Sequence, residues 1–152
     1  MPPRHGKSEL CSHWTPVWWL GNWPSDRIML ASYESDFAAS WGRKVRNGIS
    51  EHSAELGVNV SGESKAGGRW ETEGFGGGMV TAGVGGPFTG RGADLLLVDD
   101  PVKNEQEAGS RTIRDRTVEW FKTTALTRLE PGGSVMVVMT RWNDEDLSGA
   151  ML

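Results

Sequence analysis

The tripeptide Gly6-Lys7-Ser8 carries the residue types that grip a phosphate chain at the start of a helix. Backbone N–H groups at such a point converge on phosphate oxygens. A lysine there adds positive charge against the β- and γ-phosphates, and a serine hydroxyl can ligate Mg²⁺. The full pattern G-x-x-x-x-G-K-[ST] puts its first glycine where this sequence has Met1, so only its second half is present. Read by itself, the tripeptide is also a helix N-terminus that happens to hold a lysine.

A second group strengthens the first. Leu95-Leu96-Leu97-Val98 runs directly into Asp99-Asp100-Pro101. An apolar strand of this kind delivers carboxylates to the C-terminal edge of a parallel sheet, where ligands bind in such folds. Asp99 is then placed to serve a Mg²⁺ shell and Asp100 to orient or deprotonate an attacking water. The plainer alternative is two solvated acids that open a loop. A third group, Thr140-Arg141-Trp142-Asn143-Asp144-Glu145-Asp146, follows another apolar run. Its acids fit the first turn of a helix, with Asn143 or Asp144 as N-cap. A helix start does not account for Arg141-Trp142.

These residues need elements to position them. A helix over about 7–20 follows the phosphate tripeptide, with Pro16 expected to stop or kink it near Thr15. Residues 27–33 (RIMLASY) are a compact apolar run, read as a buried strand. A helix over about 35–56 repeats Phe37, Trp41, Val45 and Ile49 every fourth position and meets a stop at Gly57. Residues 69–73 and 79–82 suit a short hairpin. Residues 94–98 read as a central parallel strand and 105–129 as one helix. Pro131-Gly132-Gly133 reads as a turn and 134–140 as a further buried strand. This order implies an α/β fold.

Composition narrows the partners. The chain has 152 residues and a formal charge of −4, so a broad basic face for static nucleic-acid binding is not expected. Arg43, Lys44 and Arg46 make one short basic stretch, read first as a solvated helix face. Cys11 is the single cysteine, which excludes an internal disulfide, and with His5, His13 and His52 it forms no recognised metal spacing. No apolar run approaches the ~18 residues of a membrane span. The eight tryptophans are taken as packing residues.

Three blocks in order, PPRHGKSEL, TGRGADLLLVDDPVKN and VMTRWNDEDLSG, resemble the ATPase domain of tailed-phage terminase large subunits, the DNA-packaging motors. The first resembles the family's Walker A motif (residues 1–9), the second its Walker B strand in Asp-Asp-Pro form (94–101), and the third its coupling motif (139–149). The resemblance implies a P-loop NTPase-type, mostly parallel sheet flanked by helices. It implies ATP and Mg²⁺ as cofactors, with Arg4, His5, Gly6, Lys7, Ser8 and Glu9 around the nucleotide and Ser8 and Asp99 toward the metal. Lys7, Asp100 and Arg4 would carry hydrolysis, and Thr140 and Arg141 would couple it to movement. Implied partners are double-stranded viral DNA, a portal protein, the small terminase subunit and further copies in a ring, acting in the host cytoplasm during virion assembly.

Two departures from the family pattern stand out. Asp100 occupies a position where many such motors place Glu. The sequence also opens inside the first motif and closes just past the third, so the expectation is an incomplete sheet and no nuclease domain. That leaves two alternatives open: a non-hydrolysing remnant that only binds, and another helicase-like P-loop ATPase.

Overall fold

The computed structural model describes residues 6–63, 66–90 and 92–152. A π-helical segment, Glu9–Trp14, runs into α1 (Thr15–Asn22), followed by β1 (Arg27–Ser32), α2 (Ser35–Glu51) and the short α3 (Ser53–Leu56). Then come β2 (Arg69–Glu71), β3 (Gly78–Gly83), β4 (Ala93–Asp99), α4 (Glu105–Gly109) and α5 (Arg111–Trp120). A second π segment (Phe121–Ala125) and a 3-10 turn (Leu126–Arg128) lead to β5 (Leu129–Val138) and α6 (Leu147–Met151). The strands form one sheet in the order β2-β3-β1-β4-β5. All neighbours are parallel except β2, which is antiparallel to β3. The fold is α/β with a mostly parallel sheet between helices, as the sequence predicts.

The apolar runs are continuous because the central strands are covered on both faces. Ile28, Leu30, Leu95 and Leu97 pack with Val17, Leu20, Val45 and Ile49 of α1 and α2. Met29, Ala31, Leu96 and Val98 pack with Trp120, Phe121 and Ala125 on the opposite side. Alternation with period two sorts neighbouring residues between these layers. Asp99, next after Val98, therefore falls on the Leu95–Leu97 face, toward the helix that follows Gly6.

Several boundaries differ from the sequence reading. Pro16 does not stop the first helix, which continues to Asn22. The backbone widens to π geometry before it, and the Thr15 N–H and hydroxyl both donate to the Leu10 carbonyl. Proline then sits in the first turn of α1, where a missing N–H costs little. The 35–56 helix breaks at His52 before ending at Gly57 in the left-handed conformation. The 105–129 helix breaks at Ser110, whose backbone is extended, and its last turns change to π and 3-10 geometry. Residues 131–133 are an excursion within β5: Leu129 already pairs with Ala93, and the ladder resumes with Ser134 opposite Leu95. Trp70 and Trp120 are buried as packing residues, whereas Trp14, Trp18, Trp23 and Trp142 are exposed.

One close approach locks α2 to the sheet. A Cβ on Gly42 would lie 2.2 Å from the Gly67 carbonyl oxygen, and the buried Trp70 indole donates to the Gly42 carbonyl at 3.0 Å. Gly42→Ala should therefore cost about 1–3 kcal/mol through forced backbone movement. Gly109→Ala, where a Cβ meets nothing within 4 Å, should be neutral or mildly stabilising. Urea unfolding of the two variants checks the contrast, and equal midpoints would contradict it.

Candidate active site at the C-terminal edge of the sheet

Gly6 has a positive φ of 75°, and the helix starts directly after it, with Leu10 N–H donating to the Gly6 carbonyl at 2.9 Å. The N–H groups of Lys7, Ser8 and Glu9 precede the first intrahelical donor, so none has an acceptor within the helix. They form a local positive end beside the C-terminal ends of β4 and β5. Parallel strands end here together, which is why segments far apart in sequence meet.

Asp99 is fully buried. Ser8 Oγ donates to its Oδ1 at 3.0 Å and Ser12 Oγ to its Oδ2 at 2.9 Å. Burial raises the Asp99 pKa, the neighbouring Asp100 charge adds to the rise, and the two serine hydrogen bonds and Lys7 oppose it. The same surroundings push up the Cys11 thiol, first through burial and then through Asp99.

Asp100 turns the other way. Its φ is 42°, and it is the one non-glycine residue with positive φ among those described. Such a conformation costs of order 1–3 kcal/mol unless neighbours hold it. Here its N–H donates to the Val138 carbonyl at 2.8 Å, and its own carbonyl accepts from Tyr33 N–H at 3.2 Å. The turn aims the carboxylate at Lys7, whose buried ammonium donates to Asp100 Oδ1 at 2.5 Å and to Thr140 Oγ1 at 3.2 Å. Thr140 N–H also donates to Asp100 Oδ1, at 3.2 Å. Gly6, Lys7, Ser8, Asp99, Asp100 and Thr140 thus converge on one point.

Glu9 and Arg141 do not join that point. The Glu9 carboxylate is taken by Lys44 and by His13 Nδ1, the latter at 2.7 Å, and these bonds hold its pKa below the usual range, Lys44 first. Arg141 Nε donates to the buried Asp146 at 2.9 Å, and Asp146 caps α6 through Gly149 N–H. The N-cap expected at Asn143 or Asp144 is therefore Asp146. Arg4 and His5 lie outside the described residues.

The sequence reading missed two residues that matter locally. Ser12 lies four positions after Ser8 on the same helical face, a spacing that was legible. Arg114 is a buried guanidinium that donates to the Ala108 and Gly109 carbonyls and to Glu145. It ties the end of α4 to the segment after Thr140, and nothing in the sequence marks it.

The donor set suits a small hard cation that shares its shell with a ligand. Ser8 and Asp99 offer oxygen atoms, and no group of three or more His, Cys, Asp or Glu able to hold a metal occurs among the described residues. Mg²⁺ is commonly bound by one or two protein oxygens plus phosphate and water, not by an all-protein cage. A separate cavity bordered by Arg27, Met29, Arg69 and Val80 opens at the other end of the strands and contains none of these groups.

The fold is that of an α/β protein with a mostly parallel sheet flanked by helices, consistent with a P-loop-type fold. A family model described as terminase large subunit, T4likevirus-type, N-terminal, matches residues 1–150. The chain belongs to that family, whose setting is phage DNA packaging. A comparison with curated proteins found no match. No helix among the described residues is long and apolar enough to cross a membrane.

The buried carboxylate has a consequence for stability. A raised Asp99 pKa means that folding favours the protonated form, so its contribution to stability falls as pH rises above the ordinary value of 3.8. Asp99→Asn should therefore raise the thermal midpoint at neutral pH, and the gain should shrink toward about pH 4. Thermal melts across that range check the sign. A midpoint lowered at neutral pH would show that the charge is stabilising where it lies.

Proposed function

We propose that this domain binds ATP with Mg²⁺ and hydrolyses it to power movement of double-stranded viral DNA into a capsid. The observation that carries the reading is the junction of Lys7 with Asp100 and Thr140 beside the Ser8–Asp99 pair. Phosphate oxygens compete with Asp100 for the Lys7 ammonium. Binding of nucleotide moves Lys7 from the carboxylate to the β- and γ-phosphates, where the N–H groups of residues 7–9 also point. Asp100 is then free to hold the attacking water and accept its proton. Ser8 and Asp99 would hold Mg²⁺, which when bound would supply positive charge against the phosphates.

Thr140 senses the exchange, because it contacts both Lys7 and Asp100. Release of either partner is passed along residues 141–146 to α6 through the Arg141–Asp146 bond and to α4 through Arg114. In this reading Arg4 completes the phosphate contacts. The work is done on the DNA, with the portal protein, the small terminase subunit and other copies in a ring as partners, in the host cytoplasm.

Lys7→Ala should abolish ATP binding measured by calorimetry. Asp100→Asn should keep ATP and Mg²⁺ binding but lower turnover by roughly two orders of magnitude or more, the scale of a lost base. Wild-type affinity in Lys7→Ala, or wild-type turnover in Asp100→Asn, would overturn the assignment. Binding without turnover in the unmodified protein would make it a binding remnant of the same fold.

A further inference from the structure

We infer that Ser12 is a positioning residue for the Mg²⁺ site: it holds the outer oxygen of Asp99 so that the other oxygen stays turned to Ser8 and the metal. The inference rests on the ATP–Mg²⁺ reading above. Ser12 and Asp99 are both fully buried. Their 2.9 Å hydrogen bond is direct, with Ser12 Oγ on Oδ2, while Ser8 Oγ sits 3.0 Å from Oδ1. The two carboxylate oxygens thus have separate donors, supplied by one face of one helix.

The division matters once Ser8 is used. A serine hydroxyl that ligates a metal through its oxygen no longer serves Asp99 alone. A carboxylate buried away from water and left with fewer donors loses orientation, since a buried charge needs hydrogen bonds to stay in place. Ser12 is the donor that does not change partner. In mid-helix a serine usually turns back on the carbonyl four residues earlier. Here the hydroxyl crosses to β4 instead, and the π-helical widening over Glu9–Trp14 surrounds it. π segments recur at functional positions in helices. Asp100 cannot take over this role, because an ionised carboxylate has no hydrogen to donate.

The test compares wild type, Ser12→Ala and Ser12→Thr by titrating Mg²⁺ at fixed ATP and following nucleotide binding with calorimetry. ATP affinity is also measured in EDTA. Ser12→Ala should raise the Mg²⁺ concentration for half-saturation about 10–100-fold, the scale seen when a partner of a metal ligand is removed. Its metal-free ATP affinity should match wild type, and Ser12→Thr, which keeps the hydroxyl, should recover most of the Mg²⁺ response. If Ser12→Ala does not fold, Ser12→Cys, with a weak donor of similar volume, should show the same shift. An unchanged Mg²⁺ half-saturation alongside a lowered melting point would make Ser12 a packing residue and overturn the inference while leaving the ATP reading intact. A wild-type protein that binds no ATP with or without Mg²⁺ would remove the ATP reading, and the inference with it.

Discussion

One ammonium group organises the C-terminal edge of the sheet. Lys7 Nζ is buried and joins the start of the first helix to Asp100 after β4 and to Thr140 after β5. A buried lysine left without partners would carry a heavy desolvation cost. The three segments are therefore held to one geometry by the need to satisfy it. The strained backbone of Asp100 fits the same constraint, since its positive φ is what brings the carboxylate round to the lysine. A strained residue at a convergence of charged groups is a common mark of a functional edge.

The neighbouring aspartate shows the opposite economy. Among the described residues Asp99 has no cation in direct contact, and two serine hydroxyls serve its oxygens. Burial disfavours its charge, so the fold carries a group that is poorly placed for stability alone. In the proposed reading a bound cation relieves that cost, and the two adjacent acids then have distinct tasks because their surroundings differ. One faces the helix with its hydroxyls, and the other faces the ammonium.

Much of this was legible because the physics is local. The apolar runs 27–33 and 94–98 read as buried strands and are β1 and β4, and the short segments separated by glycines read as the hairpin that β2 and β3 form. The strand that ends in Asp99-Asp100 was legible, but that Asp99 faces the helix carrying Ser8 emerges only in the fold. What escaped depended on tertiary choices. Pro16 reads as a stop or kink near Thr15; the helix runs on to Asn22, and its geometry changes at Thr15 through a π segment that the sequence does not reveal. Ser110 gave no sign that it would split the helix before Arg111. Arg114 looked like any charge on a helix, yet its guanidinium is buried against carbonyls of the preceding helix. Glu9 belonged by position to the phosphate motif, but Lys44 and His13 claim its carboxylate.

The central claim is that Lys7 exchanges Asp100 for a phosphate. A crystal structure of the protein with Mg²⁺ and a non-hydrolysable ATP analogue tests it most directly. The account predicts Lys7 Nζ within hydrogen-bond distance of the β- or γ-phosphate oxygens, no longer on Asp100 Oδ1, with Ser8 and Asp99 turned to the metal. A nucleotide bound elsewhere, with the Lys7–Asp100 pair still closed, would contradict it.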